Sequence, residues 1–364
     1  MGVCTYCGDS SPLISKTIGI CLKCLRTGYD GMMDHIGEVH GRSREPFGLP
    51  ALPPRDHGGI SCKLCHNSCQ IAEGGTGYCG IRSAAGGKIK GGTKEANVDW
   101  YYDPLPTNCV ADWVCPGGTG IGYPEYAYRQ GPEHGYKNLA VFYNGCSFNC
   151  LFCQNWHFRE RVSTGNRVLV SQLASSVDAK TSCICYFGGD PTPQLIHSIN
   201  VSKMAIQENQ ERILRICWET NGSMNQGLLS QMIDISLRSG GCIKFDLKAW
   251  SETLHLALCG VSNKRTLDNF RIVAQSTHKR PGVPLLVAST LLVPGYIDTE
   301  EVYQIASFIH RCSPDIPYAL LGFYPHFYMK ELPRTTRAKA EECLKAARGA
   351  GLTRVRIGNV HLLT

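Results

Sequence analysis

The sequence lacks three features that each mark a class of protein. It has no run of 18 consecutive apolar residues, which argues against a membrane-spanning helix. Its basic residues are scattered, so no dense basic run predicts a nucleic-acid partner. The start, MGVCTYCGDS, has neither the basic nor the apolar region of a secretory signal peptide. We therefore expect a cytoplasmic protein that binds neither membranes nor nucleic acid.

The composition is that of a folded chain. The 364 residues are enough for about two domains, at roughly 150 residues per domain. A hydrophobic content of 43% is sufficient for a full core, which argues against disorder. The net charge of +7 is mild and suits an acidic cofactor or a protein partner.

Cysteine is the residue type in excess. The chain has 20 cysteines, and 13 of them precede residue 154. Because several occur as CxxC pairs and no secretion signal is visible, bound metal is a better explanation than disulfide bonds. The pattern predicts a metal-rich N-terminal part followed by a more ordinary catalytic part.

Two CxxC pairs lie within the first 26 residues. They are formed by Cys4, Cys7, Cys21 and Cys24. Two such pairs on a short hairpin-like segment predict one tetrahedral site for zinc or for a single iron of the rubredoxin type. The alternative is a set of empty, reactive thiols, but so short a segment would hardly fold without its metal. We therefore predict a small rubredoxin-like or zinc-ribbon-like module over residues 1–45.

A second group of cysteines follows a linker rich in proline and glycine (residues 41–59). Its members are Cys62, Cys65, Cys69 and Cys79. Four cysteines in 18 residues predict a second tetrahedral zinc or iron ion, although His66 could replace one ligand. Cys109 and Cys115 either contribute to a site or are buried thiols. Residues 46–136 are therefore assigned to a second Cys-rich module and linker.

The hydrophobicity pattern changes at about residue 137, where apolar runs begin to alternate with amphipathic stretches. Six runs are typical of buried parallel strands: 139–145, 183–189, 212–222, 242–248, 284–295 and 317–325. Helical periodicity occupies 193–210, 225–239, 263–279, 298–312 and 334–350, and 353–360 can add a last strand. We predict an α/β fold, a partial (β/α)6 barrel over residues 137–330 that residues 331–364 complete with a helix and a strand.

The cysteines that follow the first barrel strand carry the strongest chemical signal. Cys146, Cys150 and Cys153 supply three thiolates, one short of the four that usually hold a [4Fe–4S] cluster. The fourth iron of such a cluster is open to a chelating ligand such as S-adenosylmethionine (SAM). The alternative is a zinc site with three cysteines and a distant fourth ligand.

With these motifs, the chain from about residue 60 onward resembles the radical SAM branch that contains pyruvate formate-lyase activating enzyme. The resemblance rests on the cysteine triplet and on segments at later strand ends: GGDP (188–191), ETNG (219–222), DLK (246–248), VPG (293–295) and FYPH (323–326). It implies a SAM pocket to which each segment contributes. The residues assigned to the pocket are Gly188, Gly189, Asp190, Glu219, Asn221, Asp246, Lys248 and His326.

The same resemblance implies a role for each part of the pocket. The glycine-rich segment meets the SAM amino group, and the ETNG and DLK segments bind the SAM carboxylate. Their acids, Glu219 and Asp246, would also bind a monovalent cation, although this branch commonly has aspartate where Glu219 stands. His326 would approach the ribose. The resemblance assigns no catalytic side chain.

Three reactions fit these observations to different degrees. The layout of two Cys4 sites ahead of a partial barrel is similar to that of cobalamin-dependent radical SAM methyltransferases that C-methylate a glutamine of methyl-coenzyme M reductase. Such an enzyme needs a protein substrate, an electron donor and a corrin. The sequence has no D-x-H-x-x-G element, which is the motif of the common cobalamin-binding fold, so a corrin would need a different pocket. Its wall could be formed by the aromatic residues Phe323, Tyr324, Phe327 and Tyr328, unless these belong to the hydrophobic core. The alternatives are a glycyl-radical activase and a non-catalytic zinc scaffold.

Overall fold

The structure, a computed structural model, describes residues 1–364. Fifteen strands form one large sheet and three two-stranded sheets. The strands are β1 (Gly2–Val3), β2 (Ser10–Ser11), β3 (Ile60–Ser61), β4 (Gln70–Ile71), β5 (Ser83–Ala85), β6 (Lys88–Lys90), β7 (Glu95–Pro104), β8 (Lys137–Tyr143), β9 (Arg167–Leu169), β10 (Thr181–Gly188), β11 (Arg215–Thr220), β12 (Ile243–Asp246), β13 (Leu286–Leu292), β14 (Tyr318–Gly322) and β15 (Val355–Gly358).

Eleven α-helices accompany the strands. They are α1 (Leu22–Thr27), α2 (Met32–Arg44), α3 (Pro116–Thr119), α4 (Phe158–Arg161), α5 (Val170–Ala174), α6 (Leu195–Glu208), α7 (Gln226–Ser239), α8 (Glu252–Cys259), α9 (Lys264–Ala274), α10 (Thr299–Cys312) and α11 (Arg337–Gly349). None of them is both long and apolar enough to cross a lipid bilayer.

The large sheet has nine strands in the order β15-β14-β13-β12-β11-β10-β8-β7-β9. The seven from β8 to β15 in this row run parallel, and each is followed or preceded by a helix that covers the sheet. Because β15 and β9 do not pair with each other, the barrel stays open. The predicted α/β fold with a partial barrel is confirmed, with β15 as the seventh parallel strand.

The predicted helices of the barrel are present with ends that move by a few residues. Their starts are fixed by local hydrogen bonds: the Asn225 side chain accepts from the Leu228 N–H at α7, and the Asp298 side chain accepts from the Glu301 N–H at α10. Such N-caps satisfy backbone donors that the first helical turn leaves free. The other six helices, α1 to α5 and α8, were not predicted from the sequence.

Strand β7 (Glu95–Pro104) was also missed. It pairs antiparallel with β8, so that Tyr101 stands opposite Ala140, and it then pairs with β9. The segment EANVDWYYDP has charged residues and a proline within it, and only its first half is buried. It lies within the range that was assigned to the second Cys-rich module and linker.

The N-terminal region packs on the end of the barrel where the parallel strands finish. The Tyr296 hydroxyl accepts a hydrogen bond from the Ser15 N–H (2.9 Å) and donates one to the Ile20 carbonyl (3.1 Å). The Thr17 hydroxyl donates to the Tyr328 carbonyl at 2.7 Å. Tyr296 follows β13 and Tyr328 follows β14, so the first Cys-rich segment sits beside the loops in which α/β barrels place their chemistry.

Candidate active site

The cysteine loop after β8 is held by the end of helix α8. The backbone N–H of Asn149 donates to the Cys259 carbonyl (2.8 Å), and that of Leu151 donates to the Leu258 carbonyl (3.0 Å). These two carbonyls belong to the last turn of α8, where carbonyl groups have no partner within the helix. The loop that carries Cys146, Cys150 and Cys153 therefore has a fixed backbone.

The side chain of Asn149 ties the same loop to the N-terminal region. Its amide donates to Nδ1 of His40 (2.9 Å) and to the Ser43 hydroxyl (2.7 Å), both on α2. The other ring nitrogen of His40, Nε2, donates to the Leu256 carbonyl at 2.9 Å. Burial lowers the pKa of His40 to about 4, so the imidazole is neutral, which this donor–acceptor pattern requires.

A central cavity opens at the carboxyl ends of the parallel strands. Most of the residues predicted for the cluster and the SAM pocket line it: Cys146, Cys150, Cys153, Gly188, Gly189, Glu219, Asn221, Asp246 and Lys248. They come from the ends of β8, β10, β11 and β12, which are neighbours in the sheet. The fold therefore brings together segments that are separated by up to a hundred positions along the sequence.

Lys248 and Asp246 form an ion pair in the wall of this cavity. The Lys248 Nζ lies 2.7 Å from Asp246 Oδ2, and the other carboxylate oxygen accepts a 2.6 Å hydrogen bond from the Ser289 hydroxyl. Burial works to lower the pKa of Lys248, but the charge of Asp246 holds it above its usual range. The lysine is thus a positive, part-buried group that could bind a carboxylate.

Asn221 supports the cysteine loop from the opposite side. Its amide donates to the Ser147 hydroxyl at 2.8 Å and approaches the Cys146 sulfur at 3.8 Å, while its carbonyl oxygen accepts from the Ser223 N–H. The ETNG segment therefore contacts the loop of the first cluster cysteine directly. A weak hydrogen bond of this kind to a thiolate is one of the ways in which proteins tune a cluster.

Two of the predicted pocket residues do not line the central cavity. Asp190 is buried behind it, where its carboxylate accepts hydrogen bonds from the Thr192 and Thr220 hydroxyls, both at 2.9 Å. Burial raises the pKa of Asp190 to about 7, although these hydrogen bonds act in the opposite direction. Its visible role is to join the ends of β10 and β11. His326 also lies outside the cavity lining, and its approach to a ribose stays a prediction.

Arg159, which the sequence analysis missed, is the clearest test of whether an anionic cluster fits. It lines the central cavity beside Cys153, yet only 2% of it is exposed. Nη2 donates to the Asn149 side chain at 3.2 Å, whereas Nε and Nη1 have no hydrogen-bond partner. A buried guanidinium without an anion is costly. A negatively charged iron–sulfur cluster on the three cysteines would supply that anion, so the residues present fit the cluster.

The first Cys4 group has the geometry of a mononuclear metal site. Cys4, Cys7, Cys21 and Cys24 are the one set of potential ligands whose ligand atoms all lie within 4.8 Å of one another. The sulfur atoms of Cys7 and Cys21 are 3.7 Å apart. Metal–sulfur bonds of about 2.3 Å in a tetrahedron place the sulfurs about 3.8 Å apart. The predicted set of four cysteines could therefore bind one zinc or iron ion.

The second group is less compact. Cys62, Cys65, Cys69 and Cys79 line one small cavity together with Tyr78. No three of their sulfur atoms meet the mutual distance of 4.8 Å that the first group meets. The second metal site therefore stays a prediction. Cys109 and Cys115 lie inside the barrel, away from both groups, as partly buried thiols.

Comparison with known proteins identifies the domain that holds the central cavity. Residues 140–309, which include the three cysteines and the four strand ends, match the radical SAM superfamily. The chain contains a radical SAM domain. The radical SAM family implies a [4Fe–4S] cluster and SAM, whereas the assignment of the cluster to Cys146, Cys150 and Cys153 stays a prediction.

Two relatives and one structure illustrate the likeness. A Methanocaldococcus jannaschii protein named as a glycyl-radical enzyme activating enzyme is 27% identical over 51% of this chain and 67% of its own length. The Escherichia coli pyruvate formate-lyase 1-activating enzyme is 26% identical over 45% of this chain and 64% of its own length, so the match spans less than two thirds of that enzyme. A radical SAM methyltransferase from Sphaerobacter thermophilus has a TM-score of 0.42 at 14% identity, over 60% of this chain and 66% of that one.

Proposed function

We propose that this radical SAM enzyme C-methylates an unactivated carbon of a protein residue with the help of cobalamin. The substrate we propose is a glutamine of methyl-coenzyme M reductase. The observation that carries the proposal is the Cys-rich N-terminal region, which precedes the radical SAM domain and packs on the loops that follow β13 and β14. An enzyme that only abstracts a hydrogen from a partner's glycine has no need of such a region.

The N-terminal region reaches the chemistry through helix α2. His40 and Ser43 on this helix bind the side chain of Asn149, which lies between the cluster cysteines Cys146 and Cys150. The matches with the named activating enzymes cover only 51% and 45% of the chain. An additional region that is built into the cysteine loop supports a reaction with more components than hydrogen abstraction alone.

The surface beside the cysteine loop suits a flat macrocycle whose ring faces can stack on aromatic side chains. The Phe327 ring stacks on that of Trp156, with centroids 5.5 Å apart and planes 20° apart, and Phe47 from the N-terminal region approaches both rings within 6.2 Å. All three rings are partly exposed. Of the four residues first considered as a corrin wall, Phe323 is fully buried core, whereas Phe327 belongs to this aromatic surface. Trp156, Phe327 and Phe47 would hold the corrin face by stacking.

In this proposal the residues of the central cavity bind SAM and shield its cleavage from water. Lys248, already paired with Asp246, would bind the SAM carboxylate by a charge-assisted hydrogen bond. Gly189 lets the backbone at the end of β10 approach the cysteine loop closely. A Cβ atom at this position would clash with the Gly145 carbonyl oxygen, 2.4 Å away. When bound, the cluster supplies the electron that cleaves SAM. The apolar lining, with Phe148, Phe152 and Phe187, keeps water away from that step.

A single assay tests the proposed reaction. The anaerobically reconstituted full chain is incubated with SAM, methylcobalamin, a reductant and a peptide that carries the glutamine region of methyl-coenzyme M reductase. We expect a mass increase of one methyl group on glutamine, together with 5′-deoxyadenosine. A matched peptide with glutamate in place of the glutamine is the control. Formation of 5′-deoxyadenosine without any methylated peptide, with or without cobalamin, would contradict the proposal.

A second candidate function is favoured by the names of the relatives. The two relatives described above are named as activating enzymes, and one of them as acting on pyruvate formate-lyase. A glycyl-radical activase would use the same central cavity on a different partner. It would generate a stable glycyl radical, visible by electron paramagnetic resonance, in a partner enzyme and would need no cobalamin.

A further inference from the structure

A buried lysine lies directly below the SAM pocket. Lys244 on β12 and Glu219 on β11 are register partners on neighbouring parallel strands, and Lys244 Nζ lies 2.7 Å from Glu219 Oε1. The lysine side chain is 3% exposed, whereas that of Glu219 is 30% exposed and lines the central cavity. The ammonium group thus lies inside the barrel, behind the part of the cavity wall that Glu219 forms.

The other groups around this ammonium are sulfur atoms. Cys109 Sγ lies 3.0 Å from Lys244 Nζ, and Cys185 Sγ lies 3.2 Å from it. Burial raises the pKa of both thiols, so they are neutral. The one carboxylate in contact with Lys244 is that of Glu219, and the two groups balance each other's charge.

An alkali metal cation does not fit this arrangement. Glu219 and Asp246 are the acids that would bind a monovalent cation by resemblance to the activating enzymes. Here Glu219 is paired with Lys244 and Asp246 with Lys248, so neither carboxylate keeps an uncompensated charge that would attract a cation, and Ser289 donates a further hydrogen bond to Asp246. The remaining neighbours of Lys244 are thiols, which are poor ligands for a hard cation that prefers oxygen.

We propose that the ammonium group of Lys244 is a built-in counter-ion that takes the place of a monovalent cation beneath SAM. Lys244 is then a positioning residue, because it fixes the carboxylate of Glu219 at the cavity floor and does not touch SAM itself. The longer side chain of glutamate, compared with the aspartate that is common at this position, gives the carboxylate the reach to meet its register partner. SAM binding should accordingly be independent of the alkali cation in the buffer. The proposal rests on SAM binding in the central cavity.

The first test needs no variant. The dissociation constant of SAM is measured anaerobically by isothermal titration calorimetry on the cluster-loaded enzyme, at equal ionic strength in potassium, sodium and tetramethylammonium chloride. Tetramethylammonium is too large to enter a cation site. We expect the three constants to agree within about twofold, since no site is left for the ion to fill. SAM binding that is about fivefold or more tighter in potassium or sodium than in tetramethylammonium would overturn the proposal.

Two variants test the role of the charge. Lys244→Met keeps the length of the side chain and removes its charge, so in tetramethylammonium chloride Glu219 is left as an unpaired anion and SAM binding should weaken about tenfold. The double variant Lys244→Met/Glu219→Gln removes both charges and should restore SAM affinity to within about threefold of the wild type. A double variant as weak as the single one would mean that Lys244 does not act by balancing Glu219. Lys203→Met, at an exposed lysine that contacts Gln231, is the matched control for substitution itself.

These variants also guard against a misplaced pocket or a misfolded protein. Unchanged SAM affinity in Lys244→Met under tetramethylammonium would overturn the role of Lys244. If Lys248→Ala also left SAM binding unchanged, the central cavity itself would be the wrong site. If Lys244→Met does not fold, the double variant and the wild-type salt series carry the test, because neither contains an unpaired buried charge.

Discussion

Arg159 is a buried arginine whose hydrogen-bonding groups are only partly paired within the protein. Its guanidinium group lies beside Cys153 and over the rings of Phe158 and Phe327, at 4.5 and 4.6 Å from their centroids, while two of its nitrogens have no partner. Aromatic faces attract a cation but do not replace an anion. The side chain therefore has a charge to offer to the bound cluster, and a cation at that place favours the more negative, reduced cluster.

The first prediction concerns the potential of the cluster. Arg159→Gln should lower the reduction potential of the [4Fe–4S] cluster by about 60 mV or more, which corresponds to a tenfold change for one electron. The physical reason is the loss of a buried positive charge that stabilises the reduced state. Potentiometric titration followed by electron paramagnetic resonance measures the shift. Arg161→Gln, at a nearby arginine whose side chain is 48% exposed, should leave the potential unchanged.

The second prediction concerns Lys248. Lys248→Ala should weaken SAM binding about tenfold or more, because a charge-assisted hydrogen bond of this kind is worth roughly 1.5–3 kcal/mol. The cluster spectrum should change little, since Lys248 holds none of the three cysteines. Equilibrium binding of SAM to the cluster-loaded protein is the measurement, with Lys264→Ala at an exposed ion pair as the control. Unchanged SAM affinity in the Lys248 variant would mean that another strand end binds the carboxylate.

At the scale of elements, the parallel strands could be predicted from the sequence. Which residues of each strand face the interior of the barrel could not. Runs such as 183–189 and 242–248 are apolar enough to mark buried strands. Strand ends also carry the polar residues, so Glu219, Asp246 and Lys248 were found. Lys244 was not found, because a lysine within a buried strand has meaning only once Glu219 is known to be its register partner.

The missed elements depend on contacts that are distant in the sequence. Helix α2 contains Gly37 and Gly41, which lower its intrinsic helix propensity, and it is held by the contacts of His40 and Arg44 with residues far along the chain. Strand β7 exists because β8 offers it an edge. No sequence motif around Arg159 marks it as a functional residue. A buried charge next to a metal ligand becomes visible only when the loop is folded.

The third prediction concerns the N-terminal element. Cys21→Ser should remove the metal ion of the first Cys4 site and expose residues 1–31 to proteolysis, because so small a module has little core without its ion. Methylation of a protein substrate should fall by about tenfold or more, whereas cleavage of SAM alone should stay within about threefold of the wild type, since the cluster cysteines are intact. Metal analysis, limited proteolysis and the two product assays are the measurements. Cys312→Ser, at a cysteine outside every predicted metal site, is the control, and a variant that keeps its metal would contradict the assigned ligands.

For the whole molecule, chain that precedes the barrel packs on both of its ends. The N-terminal region contacts the loops after β13 and β14, and the segment after β7 packs on the other end, where Glu133 pairs with Arg215 on β11 at 2.6 Å with both side chains buried. Breaking such a pair by removing one partner leaves an uncompensated buried charge. The barrel and its flanking segments therefore form one connected structure, with a core that runs from Cys4 to Val355.

Three buried histidines make this structure sensitive to acid. Burial lowers the pKa of His40, His197 and His255 to about 4 each. An unfolded histidine titrates near 6.5, so between about pH 4 and 6.5 unfolding takes up protons at these positions, and stability falls as the pH falls. The stability that these neutral histidines contribute is complete above the unfolded pKa of about 6.5. It is lost as the pH falls towards the folded pKa of about 4. Asp190 acts in the opposite direction, because its folded pKa of about 7 makes the native state bind the extra proton over the same range.

The fourth prediction isolates one of these histidines. Nδ1 of His197 is 2.9 Å from the Tyr143 hydroxyl and its Nε2 is 3.1 Å from the Val168 carbonyl oxygen, so the ring is held neutral in the core. In His197→Phe this proton uptake is absent, and the free energy of unfolding should vary less steeply between pH 4.5 and 6, by up to about 1.4 kcal/mol per pH unit. The lost hydrogen bonds lower the stability at every pH and leave the slope difference unaffected, and Asp190 contributes equally to both proteins. Anaerobic denaturant unfolding at several pH values measures the slope. His278→Phe, at an exposed histidine, should keep the wild-type slope, and an equal slope in His197→Phe would show that His197 titrates normally in the folded protein.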